Sequence, residues 1–177
     1  KVSDNPNVDE DEPEVLYTAL THSREPLGMM NLIYFVQLLA EEQNSNPEFE
    51  YLISNREMWF IPVVNPDGYA YNESIEPTGG GMHRKNRLNT NCGNGSNRGV
   101  DLNRNYGFGW GSNDIGSSPN PCSATYRGDV EFSEPETQAV RDFIINHDFN
   151  NVLHYHCYSN IYIHPWGNGS IPEEPDS

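Results

Sequence analysis

The stretch Val15–Glu25, VLYTALTHSRE, decides how this chain is read. Val15–Leu20 is a short apolar run that reads as a buried strand. Behind it, the spacing predicts a helix from about Pro26 to Glu42. Proline suits a first helical turn, and Met29, Leu32, Ile33, Val36 and Leu39 recur at helical intervals until Asn44-Ser-Asn-Pro47 stops them. Thr21-His-Ser-Arg-Glu25 therefore sits where a strand gives way to a helix, the edge at which α/β sheets bind ligands. His22 and Glu25 stand three apart, so on a starting helical turn both side chains can aim at one point. An imidazole and a carboxylate placed this way make two thirds of a His₂Glu zinc site. His-x-x-Glu alone is a common pattern that a capping glutamate explains equally well; its position gives it weight.

Further along, Asn151–Tyr158 reads as a second histidine-bearing strand with His154, His156 and Tyr158 on one face. Either histidine would complete the site, spacing does not choose between them, and the competing reading makes one or both packed core imidazoles. Met58–Val64 is another strand candidate, with Pro62 marking an edge or an end. Asn65-Pro-Asp-Gly68 reads as a tight turn, its glycine free to take positive φ. From Tyr69 to Gly128 the sequence is rich in Gly, Asn, Ser and Arg without a sustained period, which is expected of functional loops. Ser133-Glu-Pro-Glu136 reads as a capping box opening a helix with Ala139, Val140, Phe143 and Ile144 on its apolar face. There is no internal repeat, and alternating strands and helices predict an α/β layered fold.

Composition narrows the function. The 177 residues suit one domain with a real core, although only 35% are apolar. A net charge of −16 argues against nucleic-acid binding and equally against attraction to an anionic membrane surface. No apolar run reaches the ~20 residues a spanning helix needs, and no signal-like segment opens the chain. The acids crowd the ends: without nine of them and Lys1, 17 acidic residues face 9 basic ones. The Asp9–Glu14 run reads as a solvated, mobile end, without the Asp-x-Asp-x-Asp-Gly spacing of a calcium loop. Against this background Arg84, Lys85, Arg87, Arg98 and Arg104 form a basic island suited to an anionic group, with Arg87 and Arg98 expected at the surface. Of three cysteines, Cys92 and Cys122 lie in loops that a cross-link would restrain, whereas Cys157 sits in an apolar stretch as a buried thiol. Asn72-Glu-Ser, Asn94-Gly-Ser and Asn168-Gly-Ser are glycosylation sequons, short enough to recur by chance. Cysteines and sequons together point to an extracytoplasmic protein.

The motifs in order resemble the zinc metallocarboxypeptidases of the carboxypeptidase A/B and T type. His22-Ser-Arg-Glu-Pro26 resembles that family's first zinc motif, and Asn65-Pro-Asp-Gly68 a family turn. His83-Arg-Lys-Asn-Arg87 is similar to the loop whose arginine polarises the scissile carbonyl. Val100-Asp-Leu-Asn-Arg-Asn105 resembles the segment whose Asn-Arg pair grips a free C-terminus. Pro121–Gly128, Phe132–Thr137, His156-Cys-Tyr-Ser159 and Pro165-Trp-Gly167 also read as family sequence, spanning Val15 to Gly167.

The resemblance implies a three-layer α/β fold, a mixed β-sheet with flanking helices, truncated on its C-terminal side. It divides the chain into an acidic segment (1–14), a partial catalytic domain (15–167) and a polar tail (168–177). It implies one zinc ion held by His22, Glu25 and His156, leaving His154 to packing. It makes Arg84 the catalytic arginine, Asn103 and Arg104 the carboxylate grip, Arg24 and Tyr158 outer substrate contacts, and Cys92–Cys122 a disulfide. Cys157 stands where the family often has serine. Peptide or protein C-termini become the substrate, with a full-length monomer expected. The family's general-base glutamate and specificity pocket lie far beyond the third ligand, and Glu173 and Glu174 are too close to His156 to replace that base. The chain is therefore expected to be a poorly active N-terminal portion. A non-catalytic module binding zinc and peptide C-termini is the alternative; related amidohydrolases fit less well because of the Asn-Pro-Asp-Gly turn and the Asn103-Arg104 pair.

Overall fold

The computed structural model describes residues 1–164. Pro165-Trp-Gly167, the polar tail and Asn168 lie outside the described residues. Strand β1 (Glu14–Thr18) is central, flanked by β2 (Glu57–Ile61) and β3 (Phe149–His154) in the order β2-β1-β3. Both pairings are parallel. Of the expected mixed sheet, the antiparallel component among the described residues is the isolated bridge between Val2 and Met58. Parallel neighbours require crossovers, and helices supply them: α1 (Pro26–Glu42) and α2 (Pro47–Asn55) link β1 to β2. α3 (Pro66–Ile75), a 3₁₀ turn at Leu102–Arg104 and α4 (Pro135–Ile145) lie between β2 and β3.

Two apolar clusters cover the sheet. Leu39, Ile53 and Met58 form one, joined by Tyr17, Phe35 and Phe60. Val64, Leu102 and Val140 form the other, joined by Ile61, Tyr106 and Ile144. β1 is buried on the face of Glu14, Leu16 and Thr18 and half-buried on that of Val15 and Tyr17, so both faces of the central parallel strand are covered to different degrees. Pro62 falls just after β2, whose outer edge is unpaired by other named strands, so its missing N–H costs the ladder nothing.

Several elements depart from the sequence expectation. Asn65-Pro-Asp-Gly68 is the cap and first turn of α3: the Asn65 side chain accepts from the Gly68 N–H at 3.0 Å, with proline in the first turn. Gly68 is needed for close approach, because a Cβ there would lie 2.7 Å from Lys85 O and from Ser23 Cβ. α2 has no counterpart in the sequence reading; Asn46 caps it by accepting from the Glu48 N–H, so the motif that stops α1 also starts the next helix. In α1, Leu32 and Leu39 are buried but Ile33 is 48% exposed. In α4, Val140 is buried and Ala139 exposed. Ser133 does not cap that helix; the Asn105 side chain accepts from the Glu134 N–H at 3.2 Å and from the Thr137 hydroxyl at 2.7 Å. β3 ends at His154, so His156 and Tyr158 lie beyond the strand.

The acidic N-terminal segment is exposed over much of its length and is anchored at its start. Val2 and Met58 exchange backbone hydrogen bonds of 2.8 and 3.0 Å, and Lys1 Nζ pairs with Glu57 at 2.6 Å. Among the described residues no helix is long and apolar enough to cross a membrane.

Asn65 does more than cap. Its Nδ2 donates to Thr21 O at 3.2 Å and Lys85 O at 3.1 Å, tying the loop after β1 to residues 83–86. Replacing Asn65 by Ala removes the cap and leaves two buried carbonyls without that donor. The expected cost is about 2–4 kcal/mol in urea unfolding. Ile33→Ala on the exposed face of α1 should shift stability by less than about 0.5 kcal/mol in the same measurement.

Candidate metal centre

The site forms where β1 ends. Leu20 turns the chain with φ 56° while fully buried, a left-handed conformation uncommon for a bulky residue and typical of strained functional junctions. Thr21, His22 and Ser23 follow, all buried. Their loop is clipped in place: Ser23 N–H donates to Arg84 O at 3.1 Å and Ser23 Oγ to His83 O at 2.6 Å. Asn72 on α3 completes the clip, donating from Nδ2 to Ser23 O at 3.0 Å and to His83 O at 2.8 Å. Glu25 occupies the N-cap position of α1 yet makes no side-chain cap hydrogen bond. Its carboxylate is turned away from the helix and into the site.

Three side chains converge there. His22 Nδ1 lies 2.8 Å from Glu25 Oε1, and His156 Nδ1 lies 3.0 Å from Glu25 Oε2. The two Nδ1 atoms are 3.1 Å apart. Tetrahedral zinc with Zn–N bonds of ~2.0–2.1 Å spaces its ligand atoms by roughly 3.3 Å, close to these separations. Two imidazole nitrogens facing each other beside a carboxylate form a set of nitrogen and oxygen donors that suits a cation. The charge count agrees: the carboxylates of Glu25 and Asp101 face one guanidinium, Arg84, whose Nη2 lies 3.0 Å from Asp101 and Nη1 3.8 Å from Glu25. Burial alone would raise the Glu25 carboxyl, but hydrogen bonds from His156, His22 and the Cys157 N–H hold it well below the usual carboxylate range. His154 stands apart, with Nδ1 2.6 Å from Thr18 Oγ1 across the β1–β3 pair. Asp4, Glu10 and Glu12 also bring carboxylate oxygens within 4.8 Å of one another, at the N-terminal segment and without an imidazole.

The other candidates divide. Asn103 and Arg104 form the 3₁₀ turn beside the site, with Arg104 Nε donating to Gly116 O at 2.6 Å and Nη1 to Asn103 O at 2.9 Å. A cleft of ≈ 770 Å³ opens next to them, lined by Tyr106, Phe108 and Trp110. Arg24 is exposed between His22 and Glu25, and Tyr158 is 95% exposed. Neither is drawn into the His22–Glu25–His156 cluster. Cys92 and Cys122 form a disulfide, and Cys157 is a free thiol. Arg87 stacks on Tyr71 with its guanidinium 3.6 Å from the ring centre. Lys85, expected within the basic island, is instead buried, donating to Asn97 O at 2.6 Å and Ser123 O at 2.8 Å.

Asp101 is the residue that reading motifs one by one missed. It is fully buried; Oδ1 lies 3.2 Å from His22 Nε2 and accepts from the Asn103 N–H at 3.1 Å. Oδ2 accepts from Arg84 Nε at 3.1 Å and Nη2 at 3.0 Å. A carboxylate on the far nitrogen of a ligating histidine fixes its tautomer and orientation. The available signal was an acid immediately before the Leu-Asn-Arg segment in a chain with a histidine seeking a partner. Asp101→Asn should weaken metal affinity about 10–100-fold, read by competition with a chromogenic chelator.

The zinc carboxypeptidase family profile matches residues 1–177. Carboxypeptidase B of Astacus astacus is 32% identical over 167 residues, covering 93% of this chain and 52% of the relative. Carboxypeptidase A1 of Rattus norvegicus is 34% identical over 155 residues, covering 85% of this chain and 34% of the relative. The chain thus spans about half or less of the length of these relatives. The crystal structure of carboxypeptidase A from Helicoverpa armigera superimposes with a TM-score of 0.75 at 33% identity, over 92% of this chain and 37% of that one. The thrombin activatable fibrinolysis inhibitor structure gives a TM-score of 0.80 at 25% identity, over 95% and 41%. With its parallel sheet, the cluster at the end of β1 and a match along its whole length, this chain belongs to the zinc carboxypeptidase family.

Proposed function

We propose that the chain carries the metal-binding and C-terminus-binding parts of a metallocarboxypeptidase that hydrolyses the last peptide bond of peptides or proteins. The convergence of His22 Nδ1, the Glu25 carboxylate and His156 Nδ1 within 4.8 Å carries this reading. In it, these three hold one zinc ion, which when bound supplies Lewis acidity toward water and the scissile carbonyl. Arg84 donates to the carbonyl oxygen as negative charge develops there, and Asp101 keeps its guanidinium oriented beforehand. Asn103 and Arg104 bind the terminal carboxylate, for which a guanidinium fork is the matching donor. An internal peptide bond offers no carboxylate at that position, so chain-end specificity follows. Arg24 and Tyr158 contact the peptide upstream of the scissile bond. An extracytoplasmic location is supported by the Cys92–Cys122 disulfide.

The proton inventory sets a limit. In this reading Glu25 is committed to the zinc ion, and Asp101 is held by His22 Nε2, Arg84 and the Asn103 N–H. Neither is free to take a proton from attacking water. We therefore infer that these residues bind zinc and a C-terminal carboxylate but turn peptide over poorly by themselves.

Elemental analysis after dialysis should find about one zinc per chain, lost in His22→Ala and His156→Ala and retained in His154→Ala. Retention in His156→Ala with loss in His154→Ala would reassign the third ligand. For the carboxylate grip, Arg104→Ala should weaken binding of a short peptide with a free C-terminus about 10–100-fold, a charge-assisted hydrogen bond being worth ~1.5–3 kcal/mol. The amidated peptide should be unaffected. Efficient release of C-terminal residues by the unmodified chain would overturn the inferred need for another base.

A further inference from the structure

We propose that Asn94 is an N-glycosylation site, and that the fold withholds the neighbouring sequon at Asn72 from the same modification. By sequence, Asn72-Glu-Ser and Asn94-Gly-Ser are equivalent acceptors. The transfer joins the asparagine Nδ2 to the anomeric carbon of a lipid-pyrophosphate-linked oligosaccharide. It breaks that carbon's bond to the pyrophosphate oxygen, releases the lipid pyrophosphate and removes one amide proton. A mature glycoprotein therefore needs an Nδ2 that the fold does not use, with open space beside it.

Asn72 offers neither. It is 3% exposed, and its Nδ2 donates to Ser23 O and His83 O while its Oδ1 accepts from the His83 N–H at 2.9 Å. Packing around it is so tight that a Cβ on Gly81 would lie 2.4 Å from Asn72 Oδ1. A sugar on this nitrogen would open the clip that holds the His22 loop.

Asn94 is the converse. It is exposed, and its backbone carbonyl accepts from Tyr71 Oη at 3.1 Å and Arg87 Nη2 at 3.3 Å. Its Oδ1 accepts from Arg98 Nη1 at 3.4 Å. None of these contacts uses Nδ2. On either side, a Cβ added to Gly93 or Gly95 would meet no heavy atom within 4 Å. The backbone is thus anchored, two residues beyond the Cys92–Cys122 disulfide, while the flanking Cβ positions are open and Nδ2 is left out of the contacts above.

The inference rests on the extracytoplasmic reading, and its test keeps the two apart. The full chain is expressed behind a secretion leader in a eukaryotic host. The glycans are then removed enzymatically in heavy-oxygen water, which converts each occupied asparagine to a mass-tagged aspartate. In folded protein the Asn94 peptide should carry the tag and the Asn72 peptide should not. Ser96→Ala should lose one glycan. Ser74→Ala, which destroys the Asn72 sequon but keeps the Asn72 side chain, should leave glycan mass and melting temperature unchanged. An untagged Asn94, or a tagged Asn72, in protein whose Cys92–Cys122 bridge is closed would overturn the proposal. An open bridge in the same peptide map would count against the extracytoplasmic reading and take the proposal with it.

Discussion

One buried carboxylate, that of Asp101, connects parts of the site that lie far apart in the chain. It faces His22 from the end of β1, holds Arg84 from the loop after α3, and caps the 3₁₀ turn that presents Asn103 and Arg104. Burial raises the carboxyl's pKa, but the hydrogen bond to His22 and the nearby Arg84 charge prevail and keep it below its ordinary value. A buried charge persists only when its surroundings supply such compensation. Moving any one partner would leave the others facing an under-solvated anion, so the three groups are positioned as a unit.

Buried asparagines extend the same logic through the long irregular region. Asn65 and Asn72 tie residues 21–23 to 83–86. Asn86 accepts from the Val100 N–H at 2.8 Å, and Asn105 reaches Arg127 O, Val130 O and the start of α4. An amide carries donors and an acceptor together, so one side chain can satisfy backbone groups of two loops that form no ladder. These loops are held mainly by side chain–backbone hydrogen bonds, with one disulfide and buried Lys85 closing the outermost turn. The abundance of Asn and Gly between Tyr69 and Gly128 thus reflects bonding need and close approach as well as turns.

How much could be read beforehand follows from the range of each interaction. β1, the body of α1 and α4, and the His22–Glu25 pair were legible because their patterns are local. α2 was missed because it is short and begins within the motif that ends α1. Asn65-Pro-Asp-Gly68 reads as a turn or as a helix start on local grounds, and the decision comes from Thr21 O and Lys85 O, distant in sequence. The choice between His154 and His156 was open from spacing alone because both were assigned to one strand face. In the structure β3 stops at His154, whose Thr18 contact occupies it, and His156 swings in from beyond the strand. Asp101 and the exposure of Ile33 likewise depend on contacts that no short window contains.

The basic island acquires an internal distinction that charge counting could not provide. Arg84 is paired with Asp101 and lies near Glu25, so much of its charge is already compensated and its geometry is fixed. That suits a donor that must wait in place for charge to develop on a carbonyl oxygen, because no reorganisation is then needed. The hydrogen bonds of Arg104 run to the carbonyls of Gly116 and Asn103, which orient a guanidinium without neutralising it. In a chain of net charge −16, a guanidinium fixed by peptide oxygens beside the aromatic cleft is what the proposed grip on an anionic chain end requires. The proposed roles of the two arginines therefore differ because their acceptors differ, one being a carboxylate and the other a pair of peptide oxygens.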